Sequence, residues 1–178
     1  EQPDFSPAWS PGAGRQVAFV SWRDGNQDIY VYDLDSSTVT NVTNTPTRHE
    51  DYPAWSPDGR YLAYSAVDGG IEKVFVKDMN DLAVPAQVFR QGRSPAWSPD
   101  GQGIVFAVDS IEGTQLIVAP FGTGSTVTAV TAVSLPATHA DWSSAPLPTA
   151  LVNAGSAPLG VPSPLVSEQV SQRSSDPP

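Results

Sequence analysis

Short apolar runs alternate with turn-forming segments along the first 144 residues of the chain. In RYLAYSA at 60–66, Leu62 and Tyr64 alternate with the side chains between them, the period of two that a β-strand shows. The preceding SPDG segment has turn chemistry, because Pro57 presets its backbone φ and Gly59 accepts a left-handed conformation. This pattern predicts short β-strands joined by tight turns.

One of these segments is repeated. PAWSPDG occurs in full at 53–59 and 95–101, and PAWSP occurs a third time at 7–11. Four tryptophans, each followed by serine, are separated by 46, 42 and 45 residues; they are Trp9, Trp55, Trp97 and Trp142. Self-similarity at such a period indicates a repeat architecture.

Three further positions match in each repeat: an apolar residue after the turn, an apolar triplet, and a valine 33 residues after the tryptophan. They are Val17, Leu62 and Ile104; 29–31, 74–76 and 116–118; and Val42, Val88 and Val130. Each repeat therefore holds four strands, and a four-stranded antiparallel unit of this length is a propeller blade. A β-sandwich is the competing architecture, but it does not need one heptapeptide at this spacing.

A blade that is apolar on both faces must be sandwiched between neighbours, so we place the tryptophan as a filler between blades. The predicted fold class is all-β: a partial β-propeller of three four-stranded antiparallel blades plus the first strand of a fourth, then a disordered tail. Within 1–144, the blades are 4–50, 51–92 and 93–138, the extra strand is 139–144, and the tail is 145–178. The tail is rich in Pro, Ser, Ala and Gly, which predicts a linker; a partner-binding tether is the alternative.

Composition excludes several classes of function. The chain has 19 acidic and 9 basic residues and a net charge of −10, so a phosphate backbone would repel it and we expect no nucleic acid partner. The absence of cysteine excludes disulfides and thiolate metal sites. Apolar runs such as LIVA at 116–119 are too short to span a bilayer, so we expect no membrane insertion.

The string PAWSPDGRYLAYS, with SWRDGNQDIYVYDLD before it, resembles the repeat of TolB-like (WD40-like) β-propellers. The same repeat occurs in the propeller domains of prolyl-oligopeptidase-type peptidases. The resemblance covers residues 4–144 and departs at SPGAG, which lacks the aspartate, at Ala119-Pro120, and at HADWSS, which lacks both prolines. It implies a bacterial, extracytoplasmic setting, in the periplasm or at the cell surface.

Three blades are fewer than the four to eight of a closed propeller, so the end faces of the arc need partners. The preferred interpretation is that further blades lie N-terminal to Glu1 in a longer protein. The alternative is a homodimer in which two arcs complete a six-bladed ring.

Two histidines precede predicted innermost strands, in TRHEDYP and THADW. On a propeller they would lie on one rim, near the mouth of the channel, together with acidic neighbours. The candidate rim for a ligand or partner, such as a metal or sugar, consists of His49, Glu50, Asp51, His139 and Asp141. A simpler explanation is that these polar side chains are solvated loop residues with no ligand.

We expect no catalysis, no cofactor and no metal. DGNQD at 24–28 resembles the start of a calcium loop, but the later ligands are missing and a hairpin explains it. No GxSxG nucleophile motif occurs. The predicted function is a non-catalytic scaffold that binds an unidentified protein partner. The alternatives are an accessory propeller of a larger hydrolase or peptidase, and a carbohydrate- or metal-binding propeller.

Overall fold

The computed structural model describes residues 3–111, 113–122 and 128–132. These residues form three four-stranded antiparallel sheets, each with its strands in chain order. The strands are β1 (Asp4–Trp9), β2 (Gln16–Ser21), β3 (Asp28–Asp33), β4 (Thr38–Asn41), β5 (Glu50–Trp55), β6 (Tyr61–Asp68), β7 (Ile71–Asp78), β8 (Gln87–Gln91), β9 (Arg93–Trp97), β10 (Gly103–Ser110), β11 (Gly113–Pro120) and β12 (Thr128–Ala132). The predicted all-β partial propeller is confirmed, and we call the sheets blades 1, 2 and 3.

The predicted strand at 139–144 and the tail at 145–178 lie outside the described residues. Within the described part of the chain, no helix is long and apolar enough to cross a bilayer.

The turn after each innermost strand is built by the serine that follows the tryptophan. The Ser56 hydroxyl accepts from the Tyr61 amide at 2.8 Å and donates to Asp58, while the Gly59 amide donates to the Ser56 carbonyl at 2.8 Å. Blade 3 repeats this arrangement with Ser98 and Asp100. The predicted hairpin at SPDG is therefore confirmed in both copies.

Each innermost strand contains a β-bulge, formed by the proline of its proline-alanine-tryptophan run and the residue before that proline. Two residues of the innermost strand oppose one aromatic residue of the next strand, as Ser6 and Pro7 oppose Phe19 in blade 1. The bulged residues have positive φ, and they are Ser6 (49°), Tyr52 (54°) and Ser94 (51°). Proline is accommodated here because a bulge interrupts the ladder, so its missing N–H leaves no bond unmade.

Two cores fill the seams between blades. In β6, Leu62 and Tyr64 face blade 1, while Ala63 faces blade 3, so both faces of the middle sheet are buried. We call the contact of blades 1 and 2 the first seam and that of blades 2 and 3 the second seam. Because both faces of the middle sheet are buried, a single blade needs neighbouring blades to cover its apolar side chains.

The repeated tryptophans close both seams. Trp55 donates its indole Nε1–H to the Ala8 carbonyl at 3.2 Å, and Trp97 donates to the Ala54 carbonyl at 3.1 Å. Both indoles are buried, with 9% and 7% exposure. Trp9 has no preceding blade among the described residues and is 62% exposed. The predicted role of tryptophan as a filler between blades is confirmed at Trp55 and Trp97.

The strand pairing of blade 2 does not support the predicted equivalence of Val88 with Val42. Tyr30 pairs with Asn41 in blade 1, but the corresponding Phe75 pairs with Val88 in blade 2. The equivalent of Val42 in blade 2 is therefore the next residue, Phe89, which packs against the second seam. Val88 is instead 54% exposed, so its predicted correspondence was wrong. A count from the tryptophan cannot detect a one-residue change in the β7–β8 loop.

Candidate functional site

Antiparallel order places the turns between the second and third strands of each blade at the same edge as the connections between blades. We call this edge the rim, and in the described residues it comprises 22–28, 42–51, 68–72, 92–93, 110–111 and 113. The hairpins that contain SPDG lie at the opposite edge. The sequence-predicted site residues therefore fall at the rim, where the structure describes them.

His49 is exposed on the rim. Its imidazole lies against the indole of Trp22 from blade 1, with ring centroids 5.4 Å apart and an interplanar angle of 42°. Trp22 is half-buried, so the pair presents an aromatic surface to solvent. Aromatic side chains are the type most often enriched in protein interfaces.

Glu50 is fully buried at the first seam, with 0% exposure. Thr45 donates its hydroxyl to Oε1 of Glu50, and Oε2 receives no hydrogen bond from a described donor group. Burial and the neighbouring Asp28 carboxylate raise the pKa of Glu50 to about 7, although the Thr45 bond opposes them. A protonated Glu50 can donate to Asp28, and a shared proton lets two carboxyl groups occupy one buried place.

Asp28 is the acceptor at the centre of this cluster and is 1% exposed. Its Oδ1 accepts from the Thr45 amide at 3.1 Å, and its Oδ2 accepts from the Asn41 side chain at 2.9 Å. The Asn26 side-chain amide donates to the Thr45 and Arg48 carbonyls at 3.0 Å. The DGNQD turn therefore fastens the connection between blades 1 and 2, which the sequence did not reveal.

Asp51 also links the two blades. It accepts from the Ser6 hydroxyl in blade 1 at 2.6 Å and from the Tyr52 amide at 2.6 Å. The bulge of blade 1 at Ser6 and Pro7 directs the Ser6 side chain across the first seam to Asp51. Asp51 is half-buried, so part of its side chain remains accessible to solvent.

The structure thus separates the three described residues of the predicted rim. His49 faces solvent, Glu50 faces the buried seam, and Asp51 faces Ser6. His139 and Asp141 lie outside the described residues, so a ligand site that joins them to His49 stays a prediction. Among the described residues, no group of three or more His, Asp or Glu side chains is suited to a metal ion.

An ion-pair network crosses the rim at the second seam. Arg93 of blade 3 donates to both carboxylate oxygens of Asp109, at 2.8 and 3.0 Å, and lies 3.3 Å from the Glu72 carboxylate of blade 2. The three side chains border a cleft of about 260 Å³. Because each of these charged groups already has an oppositely charged partner, we interpret the network as a link between blades 2 and 3. It is less suited to binding a charged ligand.

The face of blade 1 that carries Trp9 has the chemistry of a seam without a neighbouring blade. Phe19 and Tyr30 stack at 5.9 Å, as Tyr64 and Phe75 stack at 5.6 Å in the first seam. A groove of about 450 Å³ opens on this face, and it is lined largely by apolar side chains; we call the surface the open face, formed by Phe5, Pro7, Val17, Phe19, Tyr32 and Val39.

Sheets that follow one another blade by blade, with tryptophan-closed seams and a shared rim, define a β-propeller protein. The sequence profile of the TolB beta propeller domain matches residues 1–121. The chain belongs to the TolB β-propeller domain family, and the resemblance drawn from its PAWSPDG repeats is confirmed.

Relatives of two kinds share this repeat. The Tol-Pal system protein TolB of Alcanivorax borkumensis is 40% identical over 63 residues, 35% of this chain and 14% of that protein. Dipeptidyl-peptidase 5 of Porphyromonas gingivalis is 30% identical over 89 residues, 43% of this chain and 13% of that protein. The match in each case involves a small part of the relative.

A solved structure also matches the fold of this chain. The crystal structure of TolB from Acinetobacter baumannii matches this fold with a TM-score of 0.64 and 27% sequence identity, over 73% of this chain and 32% of that chain. The chain therefore spans about a third of that propeller protein.

Proposed function

We propose that this chain is a non-catalytic propeller scaffold that binds another protein through its rim. The observation that carries the proposal is the contrast between buried carboxyl groups and an outward-facing aromatic pair on the rim. The buried carboxyl groups, Asp28 and Glu50, hold blades 1 and 2 together, whereas the aromatic pair of Trp22 and His49 faces outward. Such a surface suits contact with a polypeptide, because buried aromatic side chains contribute most to interface energy.

Similarity to the Tol-Pal system protein TolB of Alcanivorax borkumensis supports a more specific proposal. The partner of this chain is a component of a Tol-Pal type system, and its compartment is extracytoplasmic. The net charge of −10 favours partners with a basic surface, because complementary charge raises the rate of association.

Binding to a purified Pal protein, measured by biolayer interferometry on the full chain, tests this function. Trp22→Ala should weaken binding by about tenfold or more, as loss of an aromatic hot spot does, and His49→Ala should weaken it less. Ser36→Ala is the control, since the exposed β3–β4 turn lies at the opposite edge. Wild-type affinity in the Trp22 variant would overturn the rim as the binding surface, and no binding by wild type would overturn the Tol-Pal partner.

The open face supports a second part of the proposal: blade 1 packs against a further sheet. That sheet is another blade of a longer protein or, as an alternative, a second copy that completes a six-bladed ring. In either case its innermost strand should present a carbonyl to Trp9, as Ala8 and Ala54 do to the next tryptophans.

The similarity to dipeptidyl-peptidase 5 favours one other candidate, an accessory propeller of a peptidase. In that case the arc would control access to a catalytic domain elsewhere in a longer protein. Fluorophosphonate, which labels activated serines, separates the candidates. Labelling of a longer protein that carries this chain would support the accessory role, and absence of labelling in that protein would contradict it.

A further inference from the structure

The edge opposite the rim carries a groove between the SPDG turns of blades 2 and 3. It has a volume of about 390 Å³, which is within the range of sites that hold small ligands or single side chains. Its walls are the two turns at 56–58 and 100–102, and its floor is formed by aromatic residues. It does not share residues with the rim.

Three rings form the floor of this groove. Trp97 and Phe121 are in T-shaped contact at 4.7 Å, Tyr61 and Phe121 at 5.0 Å, and Tyr61 stacks with Trp97 at 6.2 Å. Tyr61 comes from blade 2 and the other two come from blade 3, so the cluster exists only where the blades meet. Ring faces of this kind attract cations through their quadrupoles.

The first seam lacks this cluster although its backbone is equivalent. The amides of Met79 and Phe121 make the same bond to the turn of their own blade, and Gln16 stands where Tyr61 stands. The first seam therefore combines Trp55 with Gln16 and Met79, a set with a single aromatic ring. Its turn in blade 1, SPGAG, also lacks the aspartate.

Two carboxylates stand at the groove. Oδ1 of Asp58 is used within its turn, where it accepts from Ser56 and from the Arg60 amide, and Oδ1 of Asp100 is used in the same way. Hydrogen bonds from Ser56 and Ser98, together with the turn amides, lower the pKa of both aspartates, so they are ionised at neutral pH. No described donor is bonded to either Oδ2, and these oxygens remain available to a ligand.

One ring of the floor, Tyr61, already contacts an arginine of the chain itself. The guanidinium of Arg60 lies 4.8 Å from the centroid of Tyr61 while it donates to Asp78 at 2.9 and 3.2 Å. Arginine combines stacking on rings with planar hydrogen bonding to carboxylates, which lysine does not. The Arg60 guanidinium donates its hydrogen bonds to Asp78, and its charge contributes only the smallest of the effects that lower the pKa of Asp58.

We propose that this groove binds an arginine side chain of a partner polypeptide, with the guanidinium between Asp58 and Asp100 and the stem on the aromatic floor. The groove and the rim face opposite sides of the arc, so this contact goes beyond the proposed rim function and its test is independent of that function.

Titration of the full ¹⁵N-labelled chain with an acetylated, amidated Gly-Arg-Gly peptide tests the proposal. The indole resonance of Trp97 should shift in a saturable way, while that of Trp55, at the seam without the cluster, should not. The peptide with citrulline in place of arginine keeps the shape and removes the charge, and it should bind at least about tenfold more weakly. The lysine peptide should fall between them.

Two variants locate the binding. Asp58→Asn with Asp100→Asn should abolish saturable shifts, and Tyr61→Gln with Phe121→Met, which installs the residues of the first seam, should do the same. Dispersed amide spectra would show that both variants fold. Equal shifts of Trp55 and Trp97, equal binding of the citrulline peptide, or wild-type binding by the folded double-asparagine variant would each overturn the proposal.

Discussion

The indole of Trp97 donates to the carbonyl of Ala54, 43 residues earlier in the chain, at 3.1 Å. Ala54 lies immediately before Trp55, whose own indole donates to Ala8. The PAW segment is therefore both donor and acceptor, because its alanine receives the bond of the next blade and its tryptophan gives a bond to the previous one. This reciprocity explains why a tryptophan recurs at the end of each innermost strand.

Removal of a seam hydrogen bond should destabilise the fold in proportion to burial. Trp97→Phe keeps a large apolar ring but leaves the Ala54 carbonyl without its indole donor, so we expect a loss of about 1–3 kcal/mol in the free energy of unfolding. Trp55→Phe should behave similarly, since its bond to Ala8 is equivalent. Urea unfolding followed by circular dichroism measures both losses.

Trp9→Phe is the matched control, because Trp9 is 62% exposed and has no described acceptor. Its free energy of unfolding should change by less than about 0.5 kcal/mol. Equal losses for the three variants would contradict the role assigned to the seam bonds.

Glu50 should make stability depend on pH. Its pKa is near 4.5 when unfolded and about 7 when folded, so the folded state holds a proton that the unfolded state releases. Stability is therefore full below about pH 4.5, falls as the pH rises towards 7, and is level above that value. The difference between these two pKa values corresponds to a loss of about 3 kcal/mol in the free energy of unfolding.

Glu50→Gln should flatten this dependence between pH 5 and 8, since the amide can still donate to Asp28 and accept from Thr45. Glu72→Gln is the control, because that carboxylate is about half exposed (48%), and it should leave the slope in place. Urea unfolding at several pH values gives the comparison. A wild-type slope in Glu50→Gln would show that another group carries the dependence.

Gly92, at the start of blade 3, should not tolerate a side chain. Its φ is +139°, and a Cβ there would lie 2.6 Å from Phe106 and 2.7 Å from the Ala107 carbonyl. We expect Gly92→Ala to cost about 2–4 kcal/mol, from overpacking and backbone strain together.

Gly69→Ala separates the two causes, because Gly69 also has positive φ (+62°) but has nothing within 4 Å of the added Cβ. That variant should cost about 1 kcal/mol. Similar thermal unfolding temperatures for the two variants would contradict close packing at Gly92.

The sequence predicted those features that act locally or at a constant repeat spacing. The SPDG turn depends on neighbours within five residues, and the seam role of Trp55 and Trp97 depends on periodicity, so both could be inferred. Glu50 could not be placed, because its burial and its contact with Asp28 arise only where blade 2 packs against blade 1. The polar residues around it in TRHEDYP are typical of a solvated loop, so the sequence contains no sign of a buried carboxyl group.

Two other features were hidden for a similar reason. The side-chain amide of Asn26 looked like part of a hairpin, yet its bonds to the Thr45 and Arg48 carbonyls depend on the path of the connection between blades. The groove at Tyr61, Trp97 and Phe121 depends on residues far apart in sequence, two of them at positions where the other repeats have different side chains.

The central claim is that the open face is a seam that requires a partner sheet. Multi-angle light scattering on a size-exclusion column, over a concentration series, tests it with wild type and Trp9→Lys. The account predicts that wild type associates beyond the monomer and that Trp9→Lys, which places a charge on this face, remains monomeric. A wild-type chain that stays monomeric at every concentration, or association that persists unchanged in Trp9→Lys, would contradict it.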